Sequence, residues 1–267
     1  METLKWLPPA ALLQRAIRVL VIGAGGTGSQ VCQGLAPLHM ALCALGHPSG
    51  LDVEVMDPSK VREANLGRQP FYPSDVGQPK AVVLASRVNA QYSCMSFTMN
   101  AAVTEDISKT VARFRPDIIV GCVDTKAGRK AIAAQIERYP HSIWLDTGNR
   151  ADDGQVVMGN GRKAEFHVPT VADLFPEIID TSTPDDNSPS CSMQEALHRQ
   201  SLYINREISL QALDLLSRFL RGGLTHHARL INLAAGRMNS IPVSYDVWAR
   251  MGYEHPRTKK RARKQRK

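Results

Sequence analysis

Three glycines at positions 23, 25 and 28 form a G-x-G-x-x-G turn, with a fourth at Gly26. They stand between an apolar run, 18–22, and a segment of helical periodicity. That context is the one in which such a turn holds a nucleotide. Glycines let the backbone bend sharply and approach a phosphate. The helix that follows offers unpaired N–H groups and a partial positive charge. Asp57 ends the next β-branched run, where an acid commonly bonds a ribose hydroxyl. These residues point to a nucleotide without separating a dinucleotide from ATP. A close strand–helix packing turn with no ligand is the alternative reading.

The segment after Asp57 separates the two nucleotides. Asn65, Arg68 and Gln69 lie in N-L-G-R-Q, and Lys80 closes G-Q-P-K. Two cations and two amides beyond the ribose acid suit a triphosphate, whose transfer chemistry needs fixed positive charge. A neutral nicotinamide does not need them. Asp124 follows an apolar run and falls at a sheet's carboxyl edge, where a carboxylate facing phosphates is a natural magnesium ligand. An Asp there can also cap the next helix, and the two roles are compatible. Cys191 sits in a polar loop before a helical segment, where a helix N-terminus would lower its pKa; a non-catalytic role is equally open. Lys126, Arg129, Asp146 and Asn149 are weaker candidates for the same cleft, and the pair His226-His227 reads as surface.

The elements that must position these groups alternate. Strands are expected at 18–22, Leu51–Met56, 94–99, 117–123 and 142–146. Helices are expected at 29–44, 80–89, Ile107–Phe114 and Lys126–Arg138. Four prolines make 58–79 an irregular loop. This order predicts an α/β fold, a doubly wound, Rossmann-like, mostly parallel sheet. Residues 1–150 form the nucleotide-binding core. Residues 151–254 form a smaller antiparallel and helical annex of the same domain. Its expected elements are strands at 152–158 and 164–168, a mobile loop at 181–190, a helix over 193–220, and a hairpin of 230–234 with 241–245. Residues 255–267 read as a disordered basic tail.

Composition narrows the class. The 267 residues carry 33 Lys+Arg against 25 Asp+Glu, a net charge of +8. Residues 257–267 contain eight of those cations and no acid, so the remaining body is neutral. This excludes a protein that coats nucleic acid with a folded basic face. The tail suits nonspecific contact with nucleic acid or acidic partners, or solubility alone. No apolar run is long enough to span a bilayer, and Pro8 and Pro9 break the opening stretch, so neither a membrane nor secretion is indicated. Five scattered cysteines, at 32, 43, 94, 122 and 191, without a C-x-x-C pair fit reduced thiols in a cytoplasm and no zinc site.

The motifs Gly23–Ser29 (G-A-G-G-T-G-S), Asp57, Asn65 to Gln69 and Gly77 to Lys80, in this order, resemble the ThiF/MoeB/HesA family of ATP-dependent activators of ubiquitin-like and sulfur-carrier proteins. The resemblance is strong over about 18–150 and looser over 151–235. It implies an adenylyltransferase that uses ATP and magnesium to convert a substrate's C-terminal carboxylate into an acyl-adenylate, in some members followed by a thioester. It implies roles for Gly23, Gly25, Gly26 and Gly28 under the nucleotide and for Asp57 on the ribose. Asn65, Arg68 and Lys80 would act on the phosphates, Gln69 would support that loop, Asp124 would hold magnesium, and Cys191 would stand where thioester-forming members place their acceptor. A homodimer is also implied. The stretch Pro189-Ser190-Cys191-Ser192 with Q-S-L-Y-I-N at 200–205 resembles the ThiF-related members of PRTRC plasmid-type cassettes, which would make the protein bacterial and cytoplasmic.

This sequence departs from the family pattern in three ways. The C-x-x-C pairs of many members are missing, so the annex must be held by packing. Only Arg15 and Arg18 are available near the first strand as a cross-dimer arginine. Asp57 lies 29 residues after Gly28, a longer interval than usual. Two rivals remain: a nucleotide-bound scaffold or DNA-associated accessory protein, and an NAD(P)-dependent oxidoreductase. The second lacks a Tyr-x-x-x-Lys pair and leaves Arg68 and Lys80 unexplained.

Overall fold

A computed structural model of the chain describes residues 3–93, 96–185 and 201–256. Its eight strands form one sheet in the order β3-β2-β1-β4-β5-β6-β7-β8. β1 (Ile17–Ile22), β2 (Leu51–Met56), β3 (Met99–Ala102), β4 (Ile118–Gly121) and β5 (Ile143–Asn149) run parallel. β6 (Asp153–Asn160), β7 (His226–Asn232) and β8 (Arg237–Pro242) continue the sheet antiparallel. The expected α/β architecture is present, with the antiparallel strands confined to the C-terminal side.

Central strands buried on both faces need continuous apolar runs. β1 and β4 are such runs: Val19, Leu20, Val21, Ile118, Ile119 and Val120 are fully buried. Helices α1 (Gly26–Ala44), α2 (Lys80–Gln91), α3 (Ile107–Phe114) and α4 (Lys126–Arg138) connect the parallel strands. α3 starts where Asp106 accepts the Lys109 N–H at 2.9 Å, and it stops at Arg115, whose φ of 51° cannot continue a helix. α5 (Val171–Leu174) is one turn, closed by Asp173 accepting from the Thr170 N–H and hydroxyl. α6 (Ile204–Gly222) buries Ile208, Ala212, Leu215, Leu216 and Phe219 at helical spacing and lies along α1. Gly34 permits that approach, because a Cβ there would stand 2.1 Å from Leu213 Cδ1. α7 (Tyr245–Arg250) closes the fold against β7 through Trp248.

Six expectations are corrected. The third strand lies at 99–102, beyond the expected 94–99, because Asn89 holds both polar groups of Met99 (2.7 and 2.8 Å) and so draws it into the sheet. Residues 164–168 form no strand; Asn160 captures Val168 N–H and Phe166 C=O within a side-chain-closed loop. The terminal hairpin exists, but its strands begin four residues earlier than expected, since the turn falls at 233–236 with Gly236 at φ 58°. His227 is fully buried, whereas the histidine pair reads as surface in sequence; only His226 is exposed. The helix expected over 193–220 begins at Ile204 after a turn at 202–203, its start at 193 lying outside the described residues. The tail expected from 255 begins later, because His255 is buried and stacks on His167 and Trp248; Cys191 and residues 257–267 lie outside the described residues.

Candidate active site

Strand order reverses beside β1, which is flanked by β2 and β4. In open α/β sheets, that crevice at the carboxyl ends is where ligands bind. Gly23 leaves β1 with φ 99° and donates its N–H to Met56 C=O at 2.8 Å. A Cβ on it would stand 2.5 Å from Cys122 O, so only glycine passes between β2 and β4 here. At Gly28 a Cβ would meet Gly23 O at 1.8 Å, which fixes the tightness of the turn. Gly25 differs: its Cβ position has no atom within 4 Å. It is the N-cap of α1 and brings no side chain to the helix's unpaired N–H groups. The cradle is open at the point where an anion would meet these amides.

Asp57 directly follows β2 and is buried. Its Oδ2 accepts the Ala24 N–H and its Oδ1 the Ser59 N–H, both at 2.7 Å. The carboxylate is thereby aimed by the glycine turn on one side and the following loop on the other. Each oxygen retains a lone pair for a hydroxyl.

The loop after Asp57 is closed at its base by backbone bonds. Lys80 N–H donates to Ser59 O (2.9 Å), Val61 N–H to Gln78 O (2.9 Å), and Gly77 N–H to Val61 O (3.0 Å). Val61, Phe71 and Val83 form a small separate core beneath it, with Leu66 against them. Arg87 pins the loop to α2 through Asp75 (2.8 Å) and Pro70 C=O. This clasp brings Lys80 beside Asp57 although 23 positions separate them.

Lys80 is only 9% exposed. Burial pushes its ammonium below the ordinary value; the charges of Asp57 and Asp124 oppose that shift, and those of Arg62 and Arg68 add to it. Those five groups therefore share one electrostatic neighbourhood. Half-buried Arg68 is likewise pushed down by burial. Gln69 carries a buried Oε1 with no hydrogen-bond partner. Asn65 accepts the Arg62 N–H with its Oδ1 (2.9 Å), which leaves both donors of its amide NH2 for a ligand. An open glycine cradle and a buried cation beside a buried carboxylate fit a nucleoside triphosphate. An acid is needed for the ribose, and cations for the phosphates.

Asp124 is exposed at the end of the segment after β4. Thr125 caps α4 instead, its Oγ1 accepting the Gly128 N–H at 3.1 Å. The capping role considered for Asp124 is thus corrected, and its carboxylate stays on the cleft side near Lys80. One carboxylate together with phosphate oxygens suits magnesium, which keeps most of its own water.

Other candidates are placed elsewhere. Arg129 is buried and pairs with fully buried Asp146 (3.3 Å), so it supports β5 and offers nothing to phosphate. Lys126 turns to Thr183 and the Pro184 carbonyl. Arg15 forks onto Asp117 at 2.6 and 2.7 Å, and Arg18 lies second in β1. Both stand at the amino edge, about 15–20 Å of strand from the glycine turn.

Of the amide cluster that buttresses the turn, the sequence names only Asn149, as a weaker candidate for the cleft. Thr27 Oγ1 lies 3.1 Å from Asn205 Oδ1 and 3.3 Å from Asn149 Oδ1, and Asn149 Nδ2 donates to Asn205. The Asn205 side chain fills the space where a Gly26 Cβ would stand. Ser209 donates to Thr27 O at 2.9 Å. The start of α6 thus clamps the start of α1. Asn205 lies in the Q-S-L-Y-I-N stretch, which was the available signal.

Comparison with known proteins adds relatives to this geometry. The chain is similar to the adenylyltransferase and sulfurtransferase UBA4 of Yarrowia lipolytica, 32% identical over 119 residues, 44% of this chain and 27% of that protein. It is 30% identical over 186 residues to the NEDD8-activating enzyme E1 catalytic subunit of Arabidopsis thaliana, covering 67% of this chain and 38% of the relative. It spans about a quarter to two fifths of the length of these relatives. Among solved structures, Escherichia coli MccB with AMPCPP and selenomethionine MccA superposes with a TM-score of 0.59 at 17% identity, over 87% of this chain and 65% of that one. PaaA superposes with a TM-score of 0.61 at 13% identity, over 87% and 74%. The ThiF family model matches residues 11–247, nearly the whole described body, and the chain belongs to the ThiF family.

Proposed function

We propose that this chain is an ATP-dependent adenylyltransferase that activates the C-terminal carboxylate of a ubiquitin-like or sulfur-carrier-like protein or peptide. The observation that carries this reading is buried Lys80, held beside Asp57 at the mouth of an open glycine turn with Arg68 in the same field. Bound ATP would supply the electrophilic phosphorus and leave pyrophosphate, with magnesium shielding the phosphates. The α1 amides and Gly25 would receive phosphate, and Asp57, already aimed by Ala24 and Ser59, would accept a ribose hydroxyl. Lys80 and Arg68 would stabilise the charge that grows on phosphate oxygens, in a site whose low dielectric strengthens them. Asn65 would donate through its amide, Gln69 would brace the loop, and Asp124 would hold magnesium. Cys191 as thioester acceptor and a homodimeric state extend the same reading. The relatives' names support it at the level of activated protein substrates, as does the structure of MccB with AMPCPP and MccA.

The test is equilibrium binding of ATP with magnesium and of NADH to the full chain, followed by ATP–pyrophosphate exchange with co-purified proteins. Arg68→Ala and Lys80→Ala are each expected to lower exchange by about 10²–10³-fold. NADH binding without ATP binding overturns the proposal. A nucleotide-bound scaffold is the second reading, favoured by the placement of Arg15 and Arg18 at the opposite sheet edge. Full ATP affinity with no exchange for any partner would establish it.

A further inference from the structure

A second cationic feature lies far from the glycine turn, where the C-terminal end of α6 meets β7 and β8. A groove of about 480 Å³ is lined by Arg218, Arg221, Arg229, His226, Ser240 and Leu224, among others. Its charges are organised. Asp214 Oδ2 accepts from Arg218 Nε at 2.8 Å and also from Arg229 Nη2, and Gln211 accepts from Arg229 as well. One carboxylate therefore orients two guanidinium groups from different elements. Burial would raise Asp214, but the hydrogen bonds and charges of the two arginines hold it below its ordinary value. Arg221 follows Arg218 by three positions on the same helix, is exposed, and forms no ion pair among the described residues. Three guanidinium groups thus face one carboxylate, with His226 at the rim. This imbalance stands out in a body whose total charge is neutral.

A helix C-terminus attracts cations, which accounts for Arg218 and Arg221. It does not account for Arg229, which projects from β7 into the same groove and is held there by two side chains. Forked guanidinium groups match carboxylates in bidentate geometry, and pre-orientation lowers the entropy lost on binding. The groove also carries Leu215, Leu224 and the Gly222–Gly223 backbone, so a chain with aliphatic surface fits it better than a small inorganic ion. The adjoining β8 is the outermost strand, with Arg237, Met238, Asn239 and Ser240 exposed. We propose that this groove binds an acidic peptide segment of a protein partner, with exposed Arg221 and Arg218 as its main carboxylate contacts and Arg229, held by Asp214 and Gln211, closing its floor.

The test is titration of the full chain with hexaglutamate, with inorganic phosphate in a parallel arm, at low and at physiological salt. Hexaglutamate is expected to bind and to weaken as salt rises. Arg221→Glu, at an exposed position, is expected to lower the affinity at least tenfold while lowering the melting temperature by no more than about 4 °C, the cost of an anion at a helix C-terminus. Arg221→Gln should give a smaller loss in the same direction. Affinity unaltered by both variants would place the binding elsewhere, such as the basic tail, and overturn the proposal. Phosphate binding as tightly as the peptide, with equal sensitivity to Arg221→Glu, would overturn the peptide assignment.

Discussion

The two ends of the sheet bury polar groups by different rules. At the parallel end, charge is kept: Lys80 stands buried beside Asp57, and Arg129 pairs with Asp146 in full burial. At the antiparallel end, two histidines are buried neutral, and the buried Asp173 carboxylate is answered by Arg162 at 2.6 Å. His227 is fully buried between Met158 C=O (2.9 Å) and the indole N–H of Trp248 (2.9 Å). His167 lies between Asn160 C=O (3.0 Å) and the Tyr253 hydroxyl (2.7 Å), and stacks on His255 with centroids 5.2 Å apart. Burial pushes both His167 and His227 down to about 4. Neutral imidazoles seat α7 without a buried charge of their own, while retained charge is expensive unless it is paired. The contrast sets the two ends apart, and three experiments can break or sharpen it.

The largest expected effect comes from the glycine turn. Gly28→Ala forces a Cβ to within 1.8 Å of backbone, and a loss of about 3 kcal/mol or more is expected, read as a fall in melting temperature. Gly25→Ala has open space and an ordinary φ of −79°, so it should fold normally yet lower ATP affinity at least tenfold. ATP affinity unchanged in Gly25→Ala would remove the cradle from the site.

The second effect is acid. An unfolded histidine titrates near 6.5. With folded values near 4, the native state binds fewer protons than the unfolded chain between those limits, so stability is complete above pH 6.5 and falls as pH drops through the window. His227 alone corresponds to about 3 kcal/mol at the acid end. Protonated, its Nε2–H would face the Trp248 N–H, which can only donate. Asp146 runs the other way. Burial raises it to about 6 from 3.8, so its contribution is present below pH 3.8 and is lost as pH rises through 6. Hydrogen exchange at pH 4.5 and pH 7, corrected for intrinsic rates, should show β6, β7 and α7 losing protection before β1, β2 and β4. Uniform loss would break the contrast.

The smallest effect separates Asp124 from its neighbour. Thr125→Ala removes the cap of α4 and should cost about 1 kcal/mol. Asp124→Asn should change the melting temperature less and the magnesium dependence of ATP binding more. The reverse ranking would return Asp124 to a structural role.

Much of this was legible in sequence because it rests on local rules. The periodicity of α3 and α4, the β-branched runs of β1 and β2, and the glycine spacing each depend on near neighbours, and they appear where expected. β3 and the terminal hairpin shifted because side-chain capture by Asn89 and the turn at Gly236 decided their limits. His227 was misread because a histidine pair carries no sign of which residue a distant tryptophan will bond.

Residue type and order alone therefore determined the family resemblance, the glycine-rich strand–turn–helix and the separation of a basic tail from a neutral body. Tertiary structure decided which cations meet. Arg68 and Lys80 converge on Asp57 and Asp124 because the Ser59–Lys80 clasp folds their loop back. Arg129 retreats to Asp146, Arg15 goes to the opposite edge, and Arg229 crosses the annex to share Asp214 with Arg218. Charges act through space, and the distances that decide their use are set by packing between segments far apart in the chain.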